Sequence, residues 1–374
     1  MKYGIALGGG GVRGAFQMGV WKALRKMNIE IGAAVGTSIG AINAALMVQD
    51  EYAKAMKMWR KITIEDIIAL PKGMEGEKNI FKAKNLGELV KHIYEKEGLD
   101  MSPLENILRG IIDEEKIRKS PADFGIAALS LTNRKGIYKR KEEIPEGQLI
   151  DYIMASASIL GKRQIEDETF YDGGMFDNMP VHMLGGMKDI ITVDVQGIGL
   201  TRSFSSEGRN IISIRSSSPQ TGIMDFDRAG ISRSIDEGYI TCMRAFGRVM
   251  GSIYPISTKS YLDARKKYSE QLISGVEKAA RVLDMDTLEI YTFDGLVEIV
   301  KNRFLKQSGA VSSEGLEQGG EKQKKESDNA LLIRLVKNIW DGKTDFVADK
   351  LPVISDIYDG ASAIVYFIPT RQSS

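Results

Sequence analysis

"ALGGGGVRGAFQMG", residues 6–19, sets four consecutive glycines directly behind the first apolar residues of the chain. Tyr3 to Leu7 reads as a short strand. After the glycines, Phe16, Val20, Leu24 and Met27 recur at helical spacing, with Gln17, Lys22, Arg25 and Lys26 opposite. The stretch is therefore strand, glycine loop, amphipathic helix, and a bare loop in that position has two uses. Gly9, Gly11 and Gly14 satisfy G-x-G-x-x-G, the spacing that cradles a dinucleotide pyrophosphate. Equally, the amides of such a bare glycine loop, at the positive end of a helix, can hold the developing oxyanion of an ester under attack.

The next thirty residues weigh on that choice. A dinucleotide site wants an acidic residue at the end of the second strand, about 20 residues on. Glu30 falls before the second strand, Ala33 to Val35, and that strand runs straight into "GTSIG", Gly36 to Gly40. A G-x-S-x-G between strand and helix is a nucleophile elbow: a sharp turn lifts Ser38 out of the backbone, and Gly36 and Gly40 remove side chains that would clash at the bend. The bland alternative is that Ser38 only caps the helix from Ile39 to Val48. Arg13, likewise, is either a solvated first-turn residue or a clamp on the loop's peptides. The β-α-β-α opening argues for a parallel sheet covered by helices.

A serine needs a group to take its proton. The chain has two histidines: His92 lies in a charged helical stretch, and His182 follows Pro180 at a helix start. The order Ser38, Asp172, His182 superficially matches a hydrolase triad. The stronger base is Asp172 itself, in "TFYDGGMFDNMP", where Gly173 and Gly174 permit a tight turn against another backbone and Tyr171 and Phe176 can raise its pKa by partial burial. Its bland alternative is an exposed Asp-Gly turn.

"GGGGVRG", "GTSIGAINAA" and "YDGGMFDNMPV", in this order, resemble the patatin-like phospholipase family. The likeness covers Tyr3 to about Val195, including "ASASIL" ahead of the D-G-G segment, is looser to about Gly247, and stops before residue 300. The resemblance implies an α/β fold of three layers, α/β/α, with a mainly parallel central sheet; the repeating apolar positions of Ile235 to Met250 and Tyr261 to Leu283 add a helical C-terminal extension. It also implies a Ser38–Asp172 dyad without a catalytic histidine, an oxyanion hole from Gly9, Gly10 and Gly11, and supporting roles for Arg13, Gly14, Gly36, Gly40, Gly173 and Gly174. Leu160 stands where the family commonly has proline. The implied activity is hydrolysis of an acyl ester of a phospholipid or lysophospholipid through an acyl-serine, with no metal or other cofactor and transient contact with a membrane surface. The alternative is a lipid- or acyl-binding regulatory protein on the same fold.

Composition narrows the partners. With 51 basic and 50 acidic residues and no basic block interleaved with aromatics, a nucleic-acid surface is not expected. One cysteine, Cys242, excludes an internal disulfide, and two histidines make no zinc cluster at ligand spacing. No signal-like segment opens the chain, which points to a cytoplasmic protein. The uncharged run from Ile31 to Gln49 is nearly as long as a membrane span of roughly 20 residues. Gly32, Gly36, Thr37, Ser38, Gly40 and Asn43 break it into buried strand, turn and helix.

The expected organisation is a catalytic core over 1–200, a mostly helical extension packed on it over 201–305, a mobile linker over 306–330, and a C-terminal segment of open role over 331–374. Within that segment, Leu331 to Trp340 is an amphipathic helix suited to a core or to a membrane surface, and Ala363 to Pro369 is an edge strand or buried tail. Met74, Ile80 and Phe81 are further membrane-contact candidates. Neither the preferred acyl chain nor the oligomeric state is legible.

Overall fold

The structure, a computed structural model, describes residues 2–69, 99–159, 161–217, 222–314, 328–340 and 352–368. His92, Met74, Ile80, Phe81 and Leu160 lie outside the described residues. The chain divides into two compact units, Met1–Ala245 and Phe246–Ser374. The break thus falls at residue 245, not 200. The strand at Asn210–Arg215 belongs to the sheet, and the helix at Arg228–Ala245 packs on the helix at Ala15–Lys26.

The first unit is a three-layer α/β/α fold. Five strands run parallel in the order β3 (Asp123–Ser130), β2 (Glu30–Thr37), β1 (Lys2–Leu7), β7 (Asp189–Asp194), β8 (Asn210–Arg215). Their apolar side chains alternate between faces, as a strand buried on both sides requires. Ala6, Ala33, Val35 and Ile190 meet Met179, Val181, Met183 and Leu184 on one side. Ile5, Leu7 and Ala34 turn to the other and are fully buried. There lie α1 (Ala15–Lys26) and α2 (Ile39–Val48), with α7 (Arg228–Ala245) laid across α1. That crossing is close because a Cβ on Gly19 would stand 1.8 Å from the Ile235 carbonyl oxygen, and one on Gly238 would stand 2.0 Å from that of Phe16.

Three antiparallel strands complete the sheet: β4 (Lys135–Arg140), β5 (Arg163–Ile165) and β6 (Glu168–Tyr171). Their register creates a fork. β4 occupies one edge of β3 from Gly125 to Ser130. A strand has two edges, so β2, paired at Asp123–Ala127, and β6, paired at Leu129–Ser130, share the other one. They approach head to head: β2 ends with Thr37 opposite Ala127, and β6 ends with Tyr171 opposite Leu129. The residues that follow them, Ser38 and Asp172, are delivered to the same point on the edge of β3.

In the second unit α9 (Glu270–Val282) packs on α12 (Pro352–Phe367), with Gly275 too close to the Asp359 carbonyl for a side chain. Ala363 to Phe367 is therefore helix rather than strand: Ile357, Ala361 and Ile364 are buried at helical spacing against that neighbour. Helix Asp328–Trp340 buries Leu332, Ile333, Leu335 and Val336 in the same core, which makes it a core helix and not a membrane-surface one. Helix Phe293–Glu314 runs through the first residues of the expected linker. Among the described residues no helix is long and apolar enough to cross a membrane.

Candidate active site

Ser38 sits in a bend that only this sequence pattern tolerates. Its φ of 55° and ψ of −127° are a conformation that side chains other than glycine rarely adopt. A Cβ on Gly36 would lie 2.2 Å from the Gly40 carbonyl carbon, and one on Gly40 would lie 2.2 Å from the Leu7 carbonyl oxygen, so both flanking glycines are obligatory. The bend is held from outside as well. The Ser38 amide donates to Ser156 Oγ (3.0 Å), which donates to the Ala127 carbonyl (2.6 Å), and Thr37 Oγ1 donates to the Asp177 carbonyl (2.7 Å). Ser38 caps helix α2 through its backbone without a side-chain hydrogen bond, which leaves its hydroxyl uncommitted to the helix. It is half-buried within a run, 33–48, that is otherwise buried.

Asp172 closes β6 and opens the short turn Gly173–Met175. A Cβ on Gly173 would stand 2.1 Å from the Ala127 carbonyl and 2.9 Å from Thr37 Cγ2, so this turn presses onto the end of β2. The Asp172 carboxylate accepts the Gly174 amide at 2.8 Å through Oδ1, while Oδ2 is buried with no hydrogen-bond partner of good geometry. Burial raises its pKa from 3.8 to about 6, against the lowering effect of the Gly174 amide and of the Ser38 hydroxyl. This is no exposed Asp-Gly turn. Its buried neighbour Asp177 is instead fully engaged, by Tyr138 Oη (2.7 Å) and the Met179 amide (3.2 Å).

The glycine loop lies alongside. A Cβ on Gly9 would be 3.1 Å from Ser38 Cβ, and one on Gly14 would be 2.5 Å from Ile39 Cγ1. The three amides expected to face an oxyanion are not equivalent. Gly9 already donates to the Asn178 carbonyl (3.2 Å), and its own carbonyl accepts Asn178 Nδ2 (3.3 Å). Gly9 is thereby corrected from donor to anchor. The amides of Gly10 and Gly11 have no acceptor among the described residues. Gly11 takes φ 58°, and a Cβ there would meet the Ile223 carbonyl at 2.2 Å. Arg13 donates through Nη1 to the Gln196 carbonyl, tying the loop to the segment after β7.

A polar network missed at the sequence level braces the loop from inside. Gln17 Nε2 donates to the Gly8 carbonyl (2.6 Å), Asn43 Nδ2 to Gln17 Oε1 (2.7 Å) and to the Gly14 carbonyl (3.1 Å), and Trp59 Nε1 to Asn43 Oδ1 (3.0 Å), all fully buried. Buried and satisfied in this way, such a network fixes a geometry. Polar residues on otherwise apolar faces of α1 and α2 were the available signal. His182 is exposed, its ring beside Tyr138 and Phe204, and no hydrogen bond joins it to Ser38 or Asp172.

A parallel sheet whose second strand ends in a glycine-flanked serine elbow, with a desolvated carboxylate and a glycine loop beside it, defines the α/β class with a nucleophile-elbow site. Residues 5–184 match the family model for patatin-like phospholipase, and this part of the chain belongs to that family. The chain is 32% identical over 216 residues to "Lysophospholipase nte1" of Aspergillus terreus, a match that spans 52% of the chain and 12% of that protein. It is 24% identical over 198 residues to "Patatin-like phospholipase domain-containing protein 7" of Rattus norvegicus, covering 51% of the chain and 13% of the relative. An uncharacterized NTE family protein of Mycobacterium tuberculosis is 24% identical over 196 residues, 51% of this chain and 48% of that one. The chain thus spans less than half the length of each of these relatives.

Proposed function

We propose that the protein is a serine-dependent lipid acyl hydrolase that cleaves a carboxylic ester of a phospholipid or lysophospholipid through a Ser38–Asp172 dyad. The observation that carries the reading is the fork on β3, which brings an elbow serine and a buried, incompletely satisfied carboxylate to one point. Ser38 Oγ attacks the ester carbonyl as Asp172 takes its proton. The oxyanion forms against the amides of Gly10 and Gly11, whose dipoles are already oriented by the Gly9–Asn178 and Gln17–Gly8 hydrogen bonds. Asp172 then returns the proton to the leaving alcohol or lysolipid. Water, deprotonated by the same carboxylate, attacks the acyl-Ser38 ester, and Asp172 passes that proton to Ser38 Oγ as the acyl bond breaks and the fatty acid leaves. An acid of pKa about 6 suits both transfers near neutral pH better than an ordinary carboxylate does.

Membership of the patatin-like phospholipase family and the lysophospholipase relatives support the ester and lipid classes. The test is release of fatty acid from lysophosphatidylcholine and phosphatidylcholine, read by mass spectrometry, beside labelling by a fluorophosphonate. Wild type should do both, and Ser38→Ala and Asp172→Asn neither. Lipid binding without turnover or labelling by folded wild type would replace the hydrolase with the regulatory, lipid-binding reading.

A further inference from the structure

Among the described residues of the first unit, the large apolar side chains that stand exposed are Leu131, Met175, Ile198 and Leu200. All four gather at one end of the sheet. Leu131 follows β3, Ile198 and Leu200 follow β7, and Met175 lies three residues beyond Asp172, at the end where β2 delivers Ser38. Ile198 is 83% exposed, Leu200 64% and Met175 62%, values that an isolated apolar side chain in water gains nothing from.

Nor are these loose loop tips. The Leu200 amide donates to the Gly174 carbonyl (2.9 Å), and the Leu200 carbonyl accepts the Asn178 amide. Gly199 sits so close to Gly174 and Asn178 that a Cβ would be 2.6 Å from the Gly174 carbonyl. The loop carrying Ile198 and Leu200 is therefore clamped to the turn carrying Asp172 and Met175. Phe176 extends the platform: its ring lies on Gly136, 5.1 Å from the Tyr138 ring, with the Arg202 guanidinium 4.2 Å above its centroid. Arg202 and, beside Gly136, Lys135 are exposed cations on this rim. Exposed apolar side chains on clamped backbone, with exposed cations beside them, are complementary to a layer whose charge lies outside and whose hydrocarbon lies within.

We propose that this rim is a lipid-docking surface: Met175, Ile198 and Leu200 enter the hydrocarbon boundary of an anionic phospholipid layer while Arg202 and Lys135 meet its phosphates, setting the Ser38 site against the bilayer. The choice of a lipid surface as occupant rests on the hydrolase reading above, together with the charge of the rim. A docked enzyme receives its ester without the substrate crossing water, and the rigid clamp through Gly174 carries the docked orientation directly to Asp172.

The test uses the full chain carrying Ser38→Ala, so that vesicles stay intact, and measures co-sedimentation with phosphatidylcholine–phosphatidylglycerol vesicles. Adding Ile198→Asp and Leu200→Ser should weaken binding by at least about tenfold, since two exposed side chains lose their hydrocarbon contact. Adding Arg202→Gln and Lys135→Gln should weaken it about fivefold per charge on anionic vesicles and hardly at all on pure phosphatidylcholine. In the Ser38 background, Ile198→Asp/Leu200→Ser should keep wild-type fluorophosphonate labelling and turnover of a short-chain soluble ester, which also shows that the fold is intact. Unchanged vesicle binding by Ile198→Asp/Leu200→Ser overturns the proposal. So does concentration-dependent self-association without lipid that the same variant abolishes, which would make the rim a contact between copies. Vesicle binding by a wild type that releases no fatty acid would sink the hydrolase reading and leave the docking surface standing.

Discussion

Acidification should slow the reaction of Ser38 with an uncharged fluorophosphonate in step with protonation of Asp172. The carboxyl group is raised from 3.8 to about 6 because burial disfavours its charged form, an effect only partly offset by the Gly174 amide and the Ser38 hydroxyl. Only the ionised form can take the serine proton, so the rate rises with pH through the pKa and then levels off. One pH unit below a pKa about a tenth of a group is ionised, so the labelling constant should fall about tenfold between about pH 8 and about pH 5. A carboxyl group of ordinary pKa would lose less than about a tenth of the rate over the same range. Labelling is the assay of choice because it reports the free enzyme, without steps that belong to substrate release. An ordinary histidine would give a similar midpoint, so the profile is also measured in His182→Ala, where the same limb is expected. Asp172→Asn should lose labelling by roughly 10²–10⁴-fold at every pH. A profile flat down to about pH 5, or a limb that vanishes with His182→Ala, refutes the assignment of Asp172 as the base.

Three further outcomes follow from the same geometry. Asp172→Asn should stabilise the fold at neutral pH, by at most about 3 kcal/mol for a rise from 3.8 to about 6 at about 1.4 kcal/mol per pH unit. A raised carboxyl pKa destabilises the folded state only above the unfolded value, so this gain should shrink from about pH 6 downward and be gone near pH 4 in urea titrations. Ser38→Gly should be more stable than Ser38→Ala by about 1 kcal/mol, because glycine alone accepts φ 55° without strain, and both should fail to label; equal melting temperatures would remove the strain from the elbow. Asn43→Leu should cost about 2–4 kcal/mol by stranding Gln17 and Trp59, and should lower kcat more than it raises KM as the glycine loop loosens; unchanged kcat in the folded variant would make the network purely structural.

The parts of the site legible in the sequence are those that make local demands on the backbone. Gly36 and Gly40 have no room for a side chain, Ser38 needs a positive φ, and Gly173 must touch a neighbouring strand; each demand leaves its mark within five residues. The parallel strands were legible as short apolar runs between helices. What escaped depends on pairing between distant segments. Nothing near "ASASIL" tells that Ser156 bridges Ser38 to Ala127, and nothing near Gly9 tells that its amide turns to Asn178 while those of Gly10 and Gly11 have no acceptor among the described residues. The run "AIVYF" is apolar at every position, so its period is silent, and only the partner helix through Gly275 makes it α-helix. The boundary at residue 245 was hidden because α7, like the helices beyond it, reads only as apolar positions with charges between them, and its crossing at Gly19 and Gly238 assigns it to the first unit.

The fork on β3 separates two things that enzymes often entangle. Because Thr37 and Tyr171 are both measured from one strand, the distance between hydroxyl and carboxylate is set by a handful of ladder bonds around Ala127 to Leu129. Two excursions hang on this ruler, one between α2 and β3 and one between β4 and β6, and each sends a brace back to the site: Trp59 to Asn43, and Ser156 to Ser38 and Ala127. Away from those braces an excursion can lengthen, shorten or change character while the reacting pair stays in register, so selectivity for a new ester can be acquired by rewriting the outer parts of the excursions and leaving the cutting edge untouched.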